Sequence, residues 1–286
     1  MARIGAQGFT LRQEFAELGP YETLKRVADI GFRTIEISQV PMTDENVAEM
    51  QRAGDDFGIE YAALSAPLDA NPSRPEASLS EGMDKIVADC RALKSPYVRI
   101  GMLPHQYLRS RETLREFASR ADQAASQLAD EGITLCYHNH HVEFARFDGD
   151  YLLDIIREHA PSMKFEIDVH WVHRGGVDPV TTLRKYTGVA DLVHLKDYRI
   201  GLPSKEAFEA LDRGDMNTWQ AAYADIVQFA EVGEGSLDFP AIIEQAKQSG
   251  AKHLLIEQDR TYDRTAFEAL QISHDNLVAM GYADLI

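Results

Sequence analysis

Short apolar runs alternate with longer amphipathic stretches along the whole chain. A strand turns successive side chains to opposite faces, whereas a helix brings every third or fourth residue to one face. On that basis strands are predicted over residues 3–7, 34–38, 61–64, 97–102, 134–138, 164–169, 191–196 and 253–257. Helices are predicted over 21–30, 44–57, 80–93, 111–131, 151–159, 179–186 and 239–249, with a last one over about 264–280. Thr43 and the Asp178-Pro179 pair are start signals, and Gly31, Gly58, Gly132 and Gly250 are stop signals. Eight strands separated by helices predict a parallel sheet closed into an α/β (β/α)8 barrel, one domain over residues 1–286. Residues 201–231, between the seventh and eighth strands, read as a partly helical insertion on the face where barrel loops carry function.

The faces of the strands carry the first hint of chemistry. In the fifth strand Ile133, Leu135 and Tyr137 oppose Thr134, Cys136 and His138. In the sixth, Phe165, Ile167 and Val169 oppose Glu166, Asp168 and His170. Val193 and Leu195 oppose His194 and Lys196 in the seventh. Leu254 and Ile256 oppose Leu255, Glu257 and Asp259 around the eighth, and Ile35 and Ile37 oppose Thr34, Glu36 and Ser38 in the second. The apolar face suits packing against outer helices. The ionisable face then lines the barrel interior and its C-terminal mouth, where such groups need partners, water or a metal.

Composition narrows the classes. There are 29 Lys and Arg against 46 Asp and Glu, a formal charge of −17. That surplus of acid excludes a broad phosphate-gripping face, and with it nucleic acid as a partner. Two cysteines, Cys90 and Cys136, are too few for a disulfide framework. The N-terminus lacks a signal-peptide pattern, and no stretch approaches the ~18 apolar residues of a membrane span. A cytoplasmic protein without membrane partners is expected.

Six of the ten histidines, His138, His140, His141, His170, His173 and His194, fall in two short stretches and one strand end. His138, Asp168, His194 and Glu257 stand at matching heights, one from each of four consecutive strands. Mixed imidazole and carboxylate ligands suit Mn2+, Zn2+, Co2+ or Fe2+. The plainer alternatives are a core histidine at His138 and buried ion pairs at Asp168 and Glu257. Arg99, predicted inward, either binds substrate or pairs with Glu36. Trp171 and Trp219 either stack on a bound ligand or belong to the core.

At these residues the chain resembles the sugar phosphate isomerase/epimerase family, the xylose isomerase-like TIM barrels. The likeness is strongest in Gly132-Ile-Thr-Leu-Cys-Tyr-His-Asn-His140, in Glu166-Ile-Asp-Val-His170 with Gly175-Gly-Val-Asp-Pro179, in Val193-His-Leu-Lys-Asp197, in Val232-Gly-Glu-Gly235 and in Leu255-Ile-Glu-Gln-Asp259. The resemblance implies a divalent cation, Mn2+ first and Zn2+, Co2+, Fe2+ or Mg2+ as alternatives, held by a fifth-strand carboxylate together with Asp168, His194 and Glu257. This sequence has His138 where many relatives have Glu. Either His138 is the fourth ligand or Glu143 swings in to replace the carboxylate.

The resemblance further implies an isomerase or epimerase of a sugar, keto-sugar or cyclitol, working through a metal-stabilised enediolate. Glu143 and Glu257 are the expected acid and base. His140, His170 and Lys196 are expected to bind substrate hydroxyls. The alternative within the superfamily is a lyase or dehydratase that expels a β-leaving group, as one subunit of a complex in some cases. A homo-oligomer is compatible with the family. Gly233 and Gly235 match the family's Gly-x-Gly turn, while the dinucleotide and P-loop fingerprints are absent.

Overall fold

The computed structural model describes residues 2–71 and 76–286. Eight parallel strands close into a barrel: Arg3–Gln7, Thr34–Ile37, Glu60–Ser65, Tyr97–Ile100, Thr134–His138, Lys164–Asp168, Ala190–Leu195 and His253–Ile256. They are called here the first to eighth barrel strands. Each pairs with its neighbours in chain order, and the eighth closes on the first through Arg3↔His253 to Ala6↔Ile256.

The helices start where side chains can satisfy their free N–H groups. Thr43 accepts from the Asn46 amide at the head of Asp44–Phe57, and Asp178 accepts from Thr181 ahead of Pro179–Lys185. Ser110 and Thr113 form a reciprocal cap on Arg111–Asp130. Gly58 and Gly250 end their helices at φ +69° and +92°, a region that favours glycine.

Every residue predicted to face outward on the second, fifth, sixth, seventh and eighth strands joins the main apolar core between strands and helices. A smaller apolar cluster of Ala63, Tyr97, Cys136 and Leu192 fills the barrel interior. Above it the interior side chains become ionisable, as the alternation predicts.

Three departures from the sequence reading bear on the site. The sixth strand stops at Asp168, whose Oδ1 caps a helix over Val169–Arg174 by accepting from the Trp171 amide at 2.9 Å. His170 therefore lies in the first turn of that helix, not on the strand. The first helix reaches back to Arg12, with a break at Gly19-Pro20. The insertion after the seventh strand is partly helical as expected, through Lys205–Asp212 and Met216–Ala224, but its base is closed by an unexpected antiparallel ribbon of Asp197–Ile200 with Val227–Ala230. Among the described residues no helix is long and apolar enough to cross a membrane.

Candidate active site at the barrel mouth

His138 and Asp168 end the fifth and sixth strands, His194 is one residue from the end of the seventh, and Glu257 follows the eighth directly. Parallel register sets Asp168 beside His194 and Leu255 beside His194, which lifts Glu257 one step further toward the mouth. All four side chains are buried, and one ligand atom from each lies within 4.8 Å of the others. His194 Nδ1 is 3.0 Å from Glu257 Oε2 and 3.8 Å from Asp168 Oδ2. The His138 and His194 rings are 4.7 Å apart.

The donor set fits a divalent cation. Two imidazoles and two carboxylates converge, and Asp168 Oδ2 is buried with no hydrogen-bond partner. Asp168 Oδ1 is committed to the helix cap, and its amide donates to Asn139 Oδ1 at 3.1 Å. Only one carboxylate oxygen is thus left to face the cluster.

Lys196 adds a permanent positive charge. Its Nζ lies 2.7 Å from Glu257, 2.8 Å from Asp259 and 3.4 Å from Asp168, beneath the rings of Trp171 and Phe229. Burial alone would lower its pKa, but these carboxylates hold it well above the ordinary lysine value. The same burial raises Glu257, yet Lys196 and His194 outweigh it and keep that carboxylate ionised far into acid. Asp259 moves the other way, up to about 6, because burial and the Glu257 charge exceed the pull of Lys196.

Deeper in the barrel lies a second charged group. Glu36 binds Arg99 and accepts from Gln7 Nε2 at 3.0 Å, and Glu166 lies 3.3 Å from Arg99 Nε. Of the two readings of Arg99, the structure thus shows the pair with Glu36. Burial and the charge of Glu36 push the Glu166 carboxyl up to about 8. Glu36 resists burial through Arg99 and His194 and sits at about 2.

His140 and His170 adjoin the cluster from one side. The His140 ring lies 4.8 Å from that of His138 and 5.4 Å from that of Trp171. His170 is fully buried among Trp171, Tyr198 and Phe229, and neither ring nitrogen has a hydrogen-bond partner. Burial lowers both histidines to about 4, so both are neutral imidazoles at neutral pH. Trp171 thus borders the site. Trp219 instead packs between Phe208 and Tyr223 in the insertion.

Glu143 sits elsewhere. It lies in the 3-10 turn Val142–Phe144, where Oε1 accepts from Tyr137 Oη at 2.5 Å and Oε2 from the His140 amide at 2.8 Å. Tyr137 belongs to the outward face of its strand, among Phe117 and Phe165. Neither buried group of converging ligand atoms among the described residues includes Glu143. The Gly-x-Gly turn also has a local explanation: Asp197 accepts from the amides of Gly233, Gly235, Ser236 and Leu237. A Cβ on residue 235 would lie 2.3 Å from Asp197 Oδ1, so glycine is required for the carboxylate to fit.

The residues missed as members of the site are Asp259, Tyr198, Phe229 and the pair of Glu36 with Glu166. The inward alternation had placed Glu36, Glu166 and Asp259 on the correct face, but it names no partners. Tyr198 and Phe229 come together only through the ribbon.

The chain is similar to several known proteins. The chain is 27% identical over 177 residues to the rhizopine catabolism protein MocC of Rhizobium meliloti, covering 60% of this chain and 51% of that protein. It is 26% identical over 158 residues to inosose dehydratase of Clostridium perfringens, covering 54% and 50%. The chain thus matches about half the length of these curated relatives. A crystal structure of a sugar phosphate isomerase/epimerase from Parabacteroides distasonis superposes with a TM-score of 0.74 at 20% identity, covering 99% of this chain and 96% of that one. The family profile described as xylose isomerase-like TIM barrel matches residues 24–274, and the chain belongs to that family.

Proposed function

We propose that this chain is a divalent-metal-dependent isomerase or epimerase that moves a proton on carbon next to the carbonyl of a sugar, keto-sugar or cyclitol. The observation that carries the reading is the convergence of His138, Asp168, His194 and Glu257 within 4.8 Å, with Asp168 Oδ2 free of hydrogen bonds and held only by the longer ion-pair contacts to Lys196 at 3.4 Å and His194 at 3.8 Å. A divalent cation bound there, Mn2+ in the first instance, supplies Lewis-acid polarisation of a carbonyl oxygen.

The chain's own groups set up the proton transfer. Glu257 is kept ionised by Lys196 at 2.7 Å and serves as the base that removes the carbon-bound proton. Lys196, saturated by three carboxylates, orients Glu257 and adds positive potential near the developing negative charge. His170 and His140, neutral and with free ring nitrogens, bind substrate hydroxyls. Glu143, expected as the second acid or base, would have to release both Tyr137 and the His140 amide to act. We therefore assign Glu143 to holding the His140 loop, which leaves Glu257 as the proton-transfer carboxylate of the site. Returning the proton to the opposite face inverts the carbon, and returning it to the neighbouring carbon isomerises.

Elimination is the second reading, favoured by the match to inosose dehydratase. It uses the same first step, followed by loss of a β-hydroxyl as water.

The test is deuterium exchange in D2O with Mn2+-loaded protein and a panel of ketoses, keto-sugars and inososes, followed by NMR and mass spectrometry. Wild type incorporates deuterium beside the carbonyl of at least one class, and Glu257→Gln loses about 100-fold or more of that rate. Retained mass with changed configuration marks epimerisation, and loss of water marks dehydration. Absence of exchange across the whole panel by metal-loaded wild type refutes the proposal.

A further inference from the structure

His194 faces two charged groups at once. Its Nδ1 points to Glu257 and Asp168, at 3.0 and 3.8 Å. Its Nε2 points the other way, 3.1 Å from Glu36 Oε2 and 3.1 Å from Glu166 Oε1. An imidazole that gives one nitrogen to a cation carries its proton on the other, and that N–H needs an acceptor. Glu36 supplies one in a fixed position. Its remaining oxygen takes Gln7 and Arg99, and Arg99 Nη2 donates onward to Ser38 Oγ at 3.0 Å. These side chains rise from the first, second and fourth strands and are almost wholly buried, so the acceptor cannot swing away without breaking barrel contacts.

The same group has the form of a second cation site. Ligand atoms of Glu36, Glu166 and His194 lie within 4.8 Å of one another. Arg99 already bridges both carboxylates, however, and its guanidinium supplies the charge that an ion would bring.

We infer that Glu36, Glu166 and Arg99 form an internal charged platform that fixes His194 with its proton on Nε2 and Nδ1 turned to the cation, and that Arg99 replaces a second ion, so one ion binds per chain. The inference rests on the reading of His138, Asp168, His194 and Glu257 as a cation site. It makes Glu36 a positioning residue that acts on the ion through His194, and Glu166 one that acts through both His194 and His138, whose Nδ1 lies 3.4 Å from Glu166 Oε2. Glutamate also raises the basicity of the imidazole beyond what an amide could.

Calorimetric titration of the metal-freed full chain with Mn2+ tests it. Wild type is expected to bind one ion. Glu36→Gln, and the charge-balanced pair Glu36→Gln/Arg99→Gln, are expected to weaken binding about 10–100-fold with unchanged far-ultraviolet circular dichroism. The Co2+-loaded variants should show a shifted visible spectrum, because the ligand field at His194 changes. Where a variant does not fold, nitrogen NMR of histidine-labelled wild type with Zn2+ decides, with His194 expected as an Nε2–H tautomer bound through Nδ1. Two ions per chain, affinity within about twofold in a folded variant, or ligation through Nε2 would each overturn the inference while leaving the cation site standing. Wild type that binds no ion at all instead removes the cation-site reading, and this inference with it.

Discussion

Replacing Lys196 with methionine isolates the charge balance of the mouth. The methionine stem fills nearly the same volume and removes only the ammonium. Lys196 is 2% exposed, and its three carboxylate partners stand at 2.7, 2.8 and 3.4 Å. Removing one member of a buried pair leaves the other uncompensated, a loss of about 3–5 kcal/mol. For a chain of this size each kcal/mol lowers the melting temperature by about 2–3 °C, so Lys196→Met should melt about 6–15 °C below wild type. The sign of the metal effect is equally specific. A cation among Asp168 and Glu257 would replace part of the missing positive charge, so Mn2+ should raise the melting temperature of the variant more than that of wild type. Differential scanning calorimetry in EDTA and in excess Mn2+ measures both. A variant within about 1 °C of wild type in EDTA would show that Lys196 does not neutralise those carboxylates, and the assignment of Glu257 as an ionised base would lose its support.

Glu143→Ala leaves the buried Tyr137 hydroxyl and the His140 amide without acceptors, so urea unfolding should show a loss of about 2–4 kcal/mol, with a smaller loss for Glu143→Gln. Gly235→Ala drives a Cβ against Asp197 and should lower stability by about 2 kcal/mol or more in the same assay. His253, at the base of the barrel, is held down at about 4 by burial and by Arg3, against 6.5 in an unfolded chain. The unfolded chain therefore takes up its proton first, and stability falls as pH drops from about 6.5 toward 4, by at most about 3 kcal/mol. Urea midpoints at pH 7 and pH 4.5 should differ less in His253→Gln than in wild type.

The barrel was legible because its two periodicities are local. Ile35, Val193 and Leu254 announce an outward face within a few residues, and Glu36, His194 and Glu257 announce the inward one. The convergence of His138, Asp168, His194 and Glu257 followed because matching heights on consecutive parallel strands come together once the sheet closes. What alternation could not show was pairing across the barrel. Glu36 and Arg99 both point inward, but the closed ring decides that they meet. The turn carrying Glu143 hid its direction, since a short 3-10 segment has no periodicity to read. The helix at Val169 was masked by Asp168, which serves at once as the last inward residue of a strand and the cap of the next element. The ribbon of Asp197–Ile200 with Val227–Ala230 joins segments about 30 residues apart, with no tight turn to signal it.

That ribbon separates two parts of the seventh loop. Its inner end pairs Tyr198 with Phe229, whose rings pack against His170. Its outer end pairs Ile200 with Val227, and the Gly201 amide meets the Ile226 carbonyl at 2.7 Å. The helical excursion leaves and returns at neighbouring positions, and its Met216–Ala224 helix buries none of its own residues. It behaves as a cassette spliced onto a finished wall. Doubling its length adds only about 0.6 kcal/mol of closure entropy, so evolution is free to lengthen, shorten or replace it without moving the aromatic pair that packs on His170.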